Sequence, residues 1–204
     1  MCLLDLYPQS RVHGSTAKLE LKRNLPGALT PFLLCSTAYG LSFYVSIYLL
    51  LPAQATYLPD LTNFASLLFL PHGVRVLSAW LFGWRSIPLI APSAFLTHWL
   101  IFGSAGFSNV GIAGAMSGVI CATFCFWWLS RFGLDFRISA NHKTNWRDVM
   151  LAGSLASVIN TVGMGVAMGN PFKTMAAYFI GDITGLFGCM FLLMLLFKLV
   201  RAFD

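Results

Sequence analysis

Six long apolar stretches dominate the sequence, at about residues 31–51, 61–82, 86–102, 110–129, 149–168 and 174–199. The length of each stretch is close to that of a membrane-spanning α-helix, which needs about 20 residues to cross the hydrocarbon core of a bilayer. None alternates strictly between polar and apolar residues, as a barrel strand does. Only 10% of the residues are charged, whereas a soluble domain carries about a quarter. The sequence therefore predicts an all-α integral membrane protein with about six transmembrane helices.

The basic residues predict the orientation of these helices. Lys173 falls on one side of the predicted membrane and Arg75 lies within a span. All other basic residues fall on the opposite side: Arg11, Lys18, Lys22, Arg23, Arg85, Arg131, Arg137, Lys143, Arg147, Lys198 and Arg201. Cytoplasmic loops are enriched in Lys and Arg, so both termini are predicted to be cytoplasmic. The prediction divides the chain into a cytoplasmic segment 1–28, one transmembrane domain 29–200 and a cytoplasmic tail 201–204.

Three ionisable residues lie inside predicted spans: Arg75 in the second, His98 in the third and Asp182 in the sixth. Such groups are costly in hydrocarbon and usually face the bundle interior or a cavity. We expect Arg75 and Asp182 to be close enough for an ion pair. Three interpretations follow: a salt bridge that only locks the fold, a polar cavity that binds a ligand, or a proton relay from Asp182 through His72 or His98.

The sequence Pro71-His72-Gly73 interrupts the second span. Proline removes a backbone donor and glycine weakens the helix, so this helix is predicted to be broken or kinked. A helix that starts near His72 would direct free N–H groups and a positive dipole end into the bundle. That end would suit a ligand carboxylate or phosphate, or the side chain of Asp182. A simple proline kink is the alternative.

Small residues recur at a spacing of four in the predicted helices, a pattern that lets helix backbones approach closely. The pairs predict packing within one subunit or dimerisation: Gly114 and Gly118, Gly165 and Gly169, Gly181 and Gly185. A neighbour packed at the last pair would hide Asp182 from lipid. Asn160, in the middle of the fifth span, is explained by a hydrogen bond between helices.

Catalytic and cofactor motifs are not found in the sequence. No nucleophile and base occur at an interpretable spacing, so we predict no enzyme activity, no catalytic residues, no metal and no cofactor. Cys121 and Cys125 share a helix face, which suggests either packing residues or a metal or redox pair. No basic run is interleaved with aromatic residues, so nucleic-acid binding is not predicted. The basic loop 130–147 predicts contact with anionic lipid headgroups or with a cytoplasmic partner.

Three segments resemble the bacterial membrane-associated sensor family of the MASE type. Residues 70–85 resemble that family's Trp-Pro-Pro-Ala-Gly element, which leads into an apolar helix closed by Gly and Arg. Residues 145–149 resemble its Arg-Asp-Val start of a later span, and residues 178–185 its Gly-Asp-x-x-Gly near the last span. Order and spacing agree over about residues 60–200. Leu70 and His72 replace the family's Trp and second Pro, and Arg75 is added, so the ligand cannot be carried over.

The resemblance implies a multi-pass protein of the bacterial cytoplasmic (inner) membrane. Family members usually feed a histidine kinase, diguanylate cyclase or phosphodiesterase module on the same chain, and none follows the last span in this sequence. The expected function is therefore a stand-alone sensory or ligand-binding module in signal transduction. It would act through a separate cytoplasmic or membrane protein, with a small-molecule site near Pro71, His72, Gly73, Arg75, His98 and Asp182. A small-molecule transporter or substrate-capture subunit, and a structural subunit of a membrane complex, are the alternatives.

Overall fold

The computed structural model describes residues 13–57, 66–136 and 145–203, which form helices and no strands. The α-helices are α1 (His13–Tyr44), α2 (Leu51–Tyr57), α3 (Leu70–Phe82), α4 (Ser86–Phe102), α5 (Asn109–Arg131), α6 (Trp146–Met168) and α7 (Phe172–Phe203). A π-helical segment (Val45–Leu50) joins α1 to α2, and 3-10 turns (Gly83–Arg85 and Gly103–Phe107) follow α3 and α4. Residues 61–65 of the predicted second span and residues 137–144 of the loop 130–147 lie outside the described residues.

Five helical stretches are long and apolar enough to cross a membrane: Leu29–Tyr57, Leu70–Phe107, Asn109–Arg131, Trp146–Met168 and Phe172–Ala202. Large apolar side chains cover their outward surfaces, as contact with a lipid bilayer requires. The prediction of an all-α, multi-pass membrane protein is confirmed. The predicted number of six spans and the cytoplasmic location of both termini stay predictions.

Residues 70–82 of the predicted second span and the whole predicted third span fall within the stretch Leu70–Phe107, which is not one straight helix. Arg75 and His98 line the same cavity, although they would be about 35 Å apart along a continuous helix at 1.5 Å per residue. The chain folds back at Gly83, whose φ of 55° is readily adopted only by glycine. As a result, α3 is a short helix of 13 residues that begins inside the bundle.

The first membrane helix is longer than predicted, because it continues past Pro52 to Tyr57. The predicted end at residue 51 is wrong. Pro52 is the second residue of α2, directly after the π-helical turn in which the Leu51 N–H donates to the carbonyl of Ser46. A local π-helical adjustment of this kind lets a membrane helix continue past a proline that has no N–H.

Apolar packing joins the helices around α3. Buried side chains from α3, α5, α6 and α7 form the largest core cluster, which includes Val76, Phe126, Ala152 and Leu186. The thiols of Cys121 and Cys125 are free and lie in this cluster. Each thiol donates to a backbone carbonyl at 3.2 Å, that of Gly118 for Cys121 and that of Ala152 for Cys125. This environment fits their interpretation as packing residues.

Candidate functional site

A non-helical segment, residues 66–69, lies directly on α7 where the chain approaches α3. The N–H of Phe69 donates to the carbonyl of Gly181 at 2.9 Å. A Cβ atom at Gly181 would overlap the carbonyl of Ser66, and one at Gly185 would overlap the carbonyl of Phe69. The Gly181 and Gly185 pair therefore packs against an unwound segment of the same chain, where the spacing predicted a neighbouring helix.

The first turn of α3 has its own hydrogen-bond partners. The N–H of Leu70 donates to the hydroxyl of Ser46 at 3.1 Å, Pro71 has no N–H, and the N–H of His72 donates to the carbonyl of Phe69 at 3.2 Å. The structure thus contains a helix start at Leu70 and not a kink within a longer helix. Protein acceptors therefore hold the N–H groups of Leu70 and His72, which are not free to bind an anion.

Pro71 and Gly73 serve packing and do not line the cavity described below. Pro71 is fully buried. A Cβ atom at Gly73 would lie 2.7 Å from the Cβ and Sγ atoms of Cys189, so this glycine allows α3 to touch α7. Both residues act on the site only by placing the His72 side chain between α6 and α7.

His72 and Asp182 are in buried contact, with Nδ1 of the imidazole 3.4 Å from Oδ2 of the carboxylate. The same carboxylate oxygen accepts hydrogen bonds from the Ser157 hydroxyl at 3.2 Å and from the Asn160 amide at 2.9 Å. On its other side the imidazole Nε2 lies 3.1 Å from the carbonyl of Gly153. Because a carbonyl only accepts, Nε2 must carry a proton.

The contact between His72 and Asp182 is longer than a normal N–H···O hydrogen bond of about 2.9 Å, and Nδ1 has no hydrogen-bond partner in the described part of the chain. The donors directed at Oδ2 are the Ser157 hydroxyl and the Asn160 amide, and hydrogen bonds of this kind stabilise an ionised carboxylate. Asp182 is therefore held mainly by α6, with the imidazole of His72 beside it.

Arg75 extends away from this pair towards α1 and α5. It is 8% exposed, and its Nη2 donates to the hydroxyl of Tyr39 at 2.7 Å. The guanidinium carbon lies 5.4 Å from the ring centre of Tyr39 and 5.8 Å from that of Phe69, within cation–π range. A Cβ atom at Gly118 would lie 2.8 Å from the guanidinium. Gly118 therefore makes room for a charged side chain.

The predicted ion pair between Arg75 and Asp182 is wrong as a direct contact. No nitrogen of Arg75 lies within 4.0 Å of an oxygen of Asp182. The carboxylate oxygen Oδ2 instead accepts from Ser157 and Asn160 of α6 and lies 3.4 Å from Nδ1 of His72 in the first turn of α3. Both charged residues nevertheless line one cavity.

The cavity has a volume of about 280 Å³ and lies between the helices at the level of Arg75. His98, Asn160 and Asp182 also line it, and apolar side chains form most of its wall: Phe43, Ile47, Phe69, Ile101, Phe102 and Met164. Three lining side chains have a buried polar atom without a hydrogen-bond partner in the described part of the chain, namely Arg75 Nε, His98 Nε2 and Asn160 Oδ1. The predicted residues Arg75, His98 and Asp182 are thus brought together, with His72 behind Asp182.

The remaining predicted glycines have different roles. Gly114 lines the cavity and faces the side chains of Met164 and Met168, and Gly165 faces Met175. Gly169 ends α6 with a φ of 65°, and a Cβ atom there would have nothing within 4 Å. The prediction that Gly169 packs against a helix is wrong, because it is a helix C-cap.

Sequence reasoning missed Tyr39 and Ser46 and did not connect Asn160 with Asp182. A buried arginine needs an acceptor, but no local pattern distinguishes Tyr39 from the other tyrosines.

No group of three or more His, Cys, Asp or Glu side chains within residues 13–57, 66–136 and 145–203 is arranged to hold a metal ion.

We expect Tyr39→Phe to reduce stability by about 1–3 kcal/mol, because it leaves a buried, charged donor of Arg75 without its acceptor. The aromatic ring and its cation–π contact are kept. The free energy of unfolding, measured in mixed detergent micelles, checks this value. Tyr44→Phe is the matched control, since the Tyr44 side chain is 56% exposed. Equal effects of the two substitutions would contradict the assigned contact.

Comparisons with protein-family models, with curated proteins and with solved structures give no match for this chain.

Proposed function

We propose that the chain is a membrane-embedded sensory or ligand-binding protein whose cavity at Arg75, His98, Asn160 and Asp182 takes a small molecule. The supporting observation is the presence of three buried polar atoms without partners on the wall of one largely apolar cavity. Buried polar groups are nearly always hydrogen-bonded in folded proteins. Mostly apolar cavities with a few convergent polar groups are typical ligand sites.

A purely structural role for these residues is less well supported. A polar cluster that only locks the fold should satisfy its own members, because an unsatisfied buried group costs about 1–3 kcal/mol. The Asp182 carboxylate is satisfied by Ser157 and Asn160, whereas Arg75, His98 and Asn160 each have an atom left over on the cavity wall. The second group is the part of the cluster that a ligand would complete.

Transport is the second candidate, and the start of α3 at a buried polar site supports it. Residues 66–69 are non-helical and run beside the buried Asp182 before α3 begins. Discontinuous helices at buried polar sites are typical of secondary transporters. A transporter would accumulate its ligand in proteoliposomes, whereas a sensor would bind it without accumulation and report to a separate protein.

The cellular setting in this proposal follows from the sequence. The distribution of Lys and Arg supports cytoplasmic termini, and the resemblance to membrane-associated sensors supports a bacterial cytoplasmic membrane. A cytoplasmic or membrane protein partner would then receive the signal.

Two leucine substitutions on α5 test whether the cavity is the ligand site. Ala115 is 9% exposed and lines the cavity, whereas Ala113 is exposed on the outer side of the same helix. The assay measures the melting temperature of the protein in lipid nanodiscs with each compound of a small-molecule library. We expect the compounds that raise the melting temperature of the native chain to raise that of Ala113→Leu as well. Ala115→Leu should lose the effect, because its added side chain fills part of the cavity. A failure of every compound to separate the two variants would contradict the proposal.

A further inference from the structure

We infer that the ligand is a small zwitterion, an amino acid with an apolar side chain, which lies between Arg75 and Asp182. This inference rests on the proposed function, since it names the chemical class that the cavity takes. The carboxylate of the ligand would pair with Arg75, and its ammonium group would bind at Asp182 and Asn160.

Two side chains of opposite charge line the cavity without touching each other. Arg75 is 8% exposed and Asp182 is 2% exposed, and both belong to the cavity wall. No nitrogen of the guanidinium lies within 4.0 Å of an oxygen of the carboxylate. Charges buried in a medium of low polarity are unfavourable unless each has a partner. A molecule with both a carboxylate and an ammonium group would pair with both side chains and would bring no net charge into the bundle.

The Arg75 end of the cavity requires an acceptor. Nη2 of the guanidinium donates to the Tyr39 hydroxyl at 2.7 Å, whereas Nε is buried and has no hydrogen-bond partner in the described part of the chain. A guanidinium has N–H donors and no acceptor. Carboxylates form the strong, charge-assisted hydrogen bonds to this group, so a carboxylate is the ligand group that fits here.

The Asp182 end of the cavity requires donors. The Asn160 amide is oriented by its bond to the carboxylate, because only its nitrogen can donate to that group. Asn160 Oδ1 is therefore a buried acceptor, and it has no partner within the described ranges. An ammonium group has three donors and no acceptor. It can therefore donate to Asn160 Oδ1 and to the Asp182 carboxylate at the same time.

The volume and the wall of the cavity favour an amino acid over other polar molecules. The rings of Phe43, Phe69 and Phe102 are part of a largely apolar wall, which suits an aliphatic or aromatic side chain. A sugar has hydroxyls around its whole surface, and most of them would face this wall without a partner. An inorganic ion would pair with one of the two charges and leave most of a volume of about 280 Å³ unfilled.

The first arm of the test measures binding to the native chain in lipid nanodiscs by calorimetry. The panel is leucine, phenylalanine and β-phenylalanine, each beside its N-acetyl derivative, which has no ammonium group, and its amide, which has no carboxylate. We expect at least one amino acid to bind. Both of its derivatives should bind about 10- to 100-fold more weakly, as loss of a charged hydrogen bond implies.

The second arm assigns each charge of the ligand to one side chain. Arg75→Gln should make the amide bind as well as the amino acid, while the N-acetyl derivative stays weaker. Asp182→Asn should give the opposite pattern. Unfolding would weaken all three compounds alike, so it cannot produce these crossed preferences.

Gly118→Ala is a third variant, which keeps both charges but displaces the guanidinium. It should weaken the amino acid about 10- to 100-fold and leave its amide unchanged. Ala113→Leu is the control and should bind the whole panel as the native chain does, because Ala113 is exposed on the outer side of α5. The native panel and Gly118→Ala decide the question if either charge variant does not fold.

The outcomes separate this inference from the proposed function. If an N-acetyl derivative or an amide binds as tightly as its parent in every case, and Ala115→Leu blocks this binding, the cavity is a ligand site but the zwitterion inference is wrong. The same holds if library compounds bind in the cavity while no amino acid of the panel does, or if the crossed preferences are missing in folded variants. If Ala115→Leu affects no compound at all, both proposals are wrong.

Discussion

Gly185→Ala will destabilise the protein by at least about 3 kcal/mol, at or above the upper end of the usual range for overpacking. The added methyl group would overlap the carbonyl oxygen of Phe69 and would lie 2.9 Å from the backbone nitrogen of Leu70. Backbone atoms cannot rotate away as a side chain can. Residues 66–69 would have to leave α7, and the start of α3, which carries His72 and Arg75, would move with them.

Gly40→Ala is the matched control for this substitution. Gly40 lies within α1, and a Cβ atom there would have nothing within 4 Å. Its stability should be unchanged or higher by up to about 1 kcal/mol, because alanine favours a helix more than glycine does. Unfolding free energies in detergent and the yield of folded protein measure both variants. A tolerated Gly185→Ala would show that the unwound segment does not lie on α7 in the membrane.

The break in the second span could be predicted from three residues, but its hydrogen bonding could not. Pro71 and Gly73 make a continuous helix unfavourable wherever they occur, so that part of the prediction is local. The acceptor for the N–H of Leu70 is Ser46, which comes from the π-helical segment after α1. Because that contact joins residues far apart in the sequence, only the packed structure reveals that the helix end is already capped.

The buried charges were also predictable as a group but not as pairs. Hydrocarbon disfavours every ionisable side chain, so Arg75, His98 and Asp182 had to face the interior. Which partners meet depends on side-chain direction. His72 and Arg75 are three residues apart on α3, and in the structure His72 reaches Asp182 while Arg75 reaches Tyr39.

Glycine spacing shows the same limit. Glycines from two pairs with the same spacing have different neighbours. Gly185 accommodates an unwound backbone segment, whereas Gly118 accommodates a guanidinium. Gly169, from a third pair, ends a helix. The spacing indicates only that one face of a helix carries small residues. The surrounding fold determines which group packs against that face.

A double-mutant cycle of His72→Leu and Asp182→Leu should give a coupling energy of about 2–3 kcal/mol, near the top of the range for residues in contact. Each single substitution leaves one buried polar side chain without its partner, which costs about 1–3 kcal/mol. The double substitution removes both side chains and should cost clearly less than the sum. Unfolding free energies of the four proteins, measured in the same detergent mixture, give the coupling. Additive single effects would contradict a direct pair.

The same cycle with Arg75→Met in place of His72→Leu compares the two candidate partners of Asp182. In the structure His72 is in contact with Asp182, whereas Arg75 is beyond 4.0 Å. The coupling of Arg75 with Asp182 should therefore be the smaller of the two, since electrostatic interaction weakens with distance. A larger coupling for Arg75 would mean that the ion pair predicted from the sequence forms in the membrane.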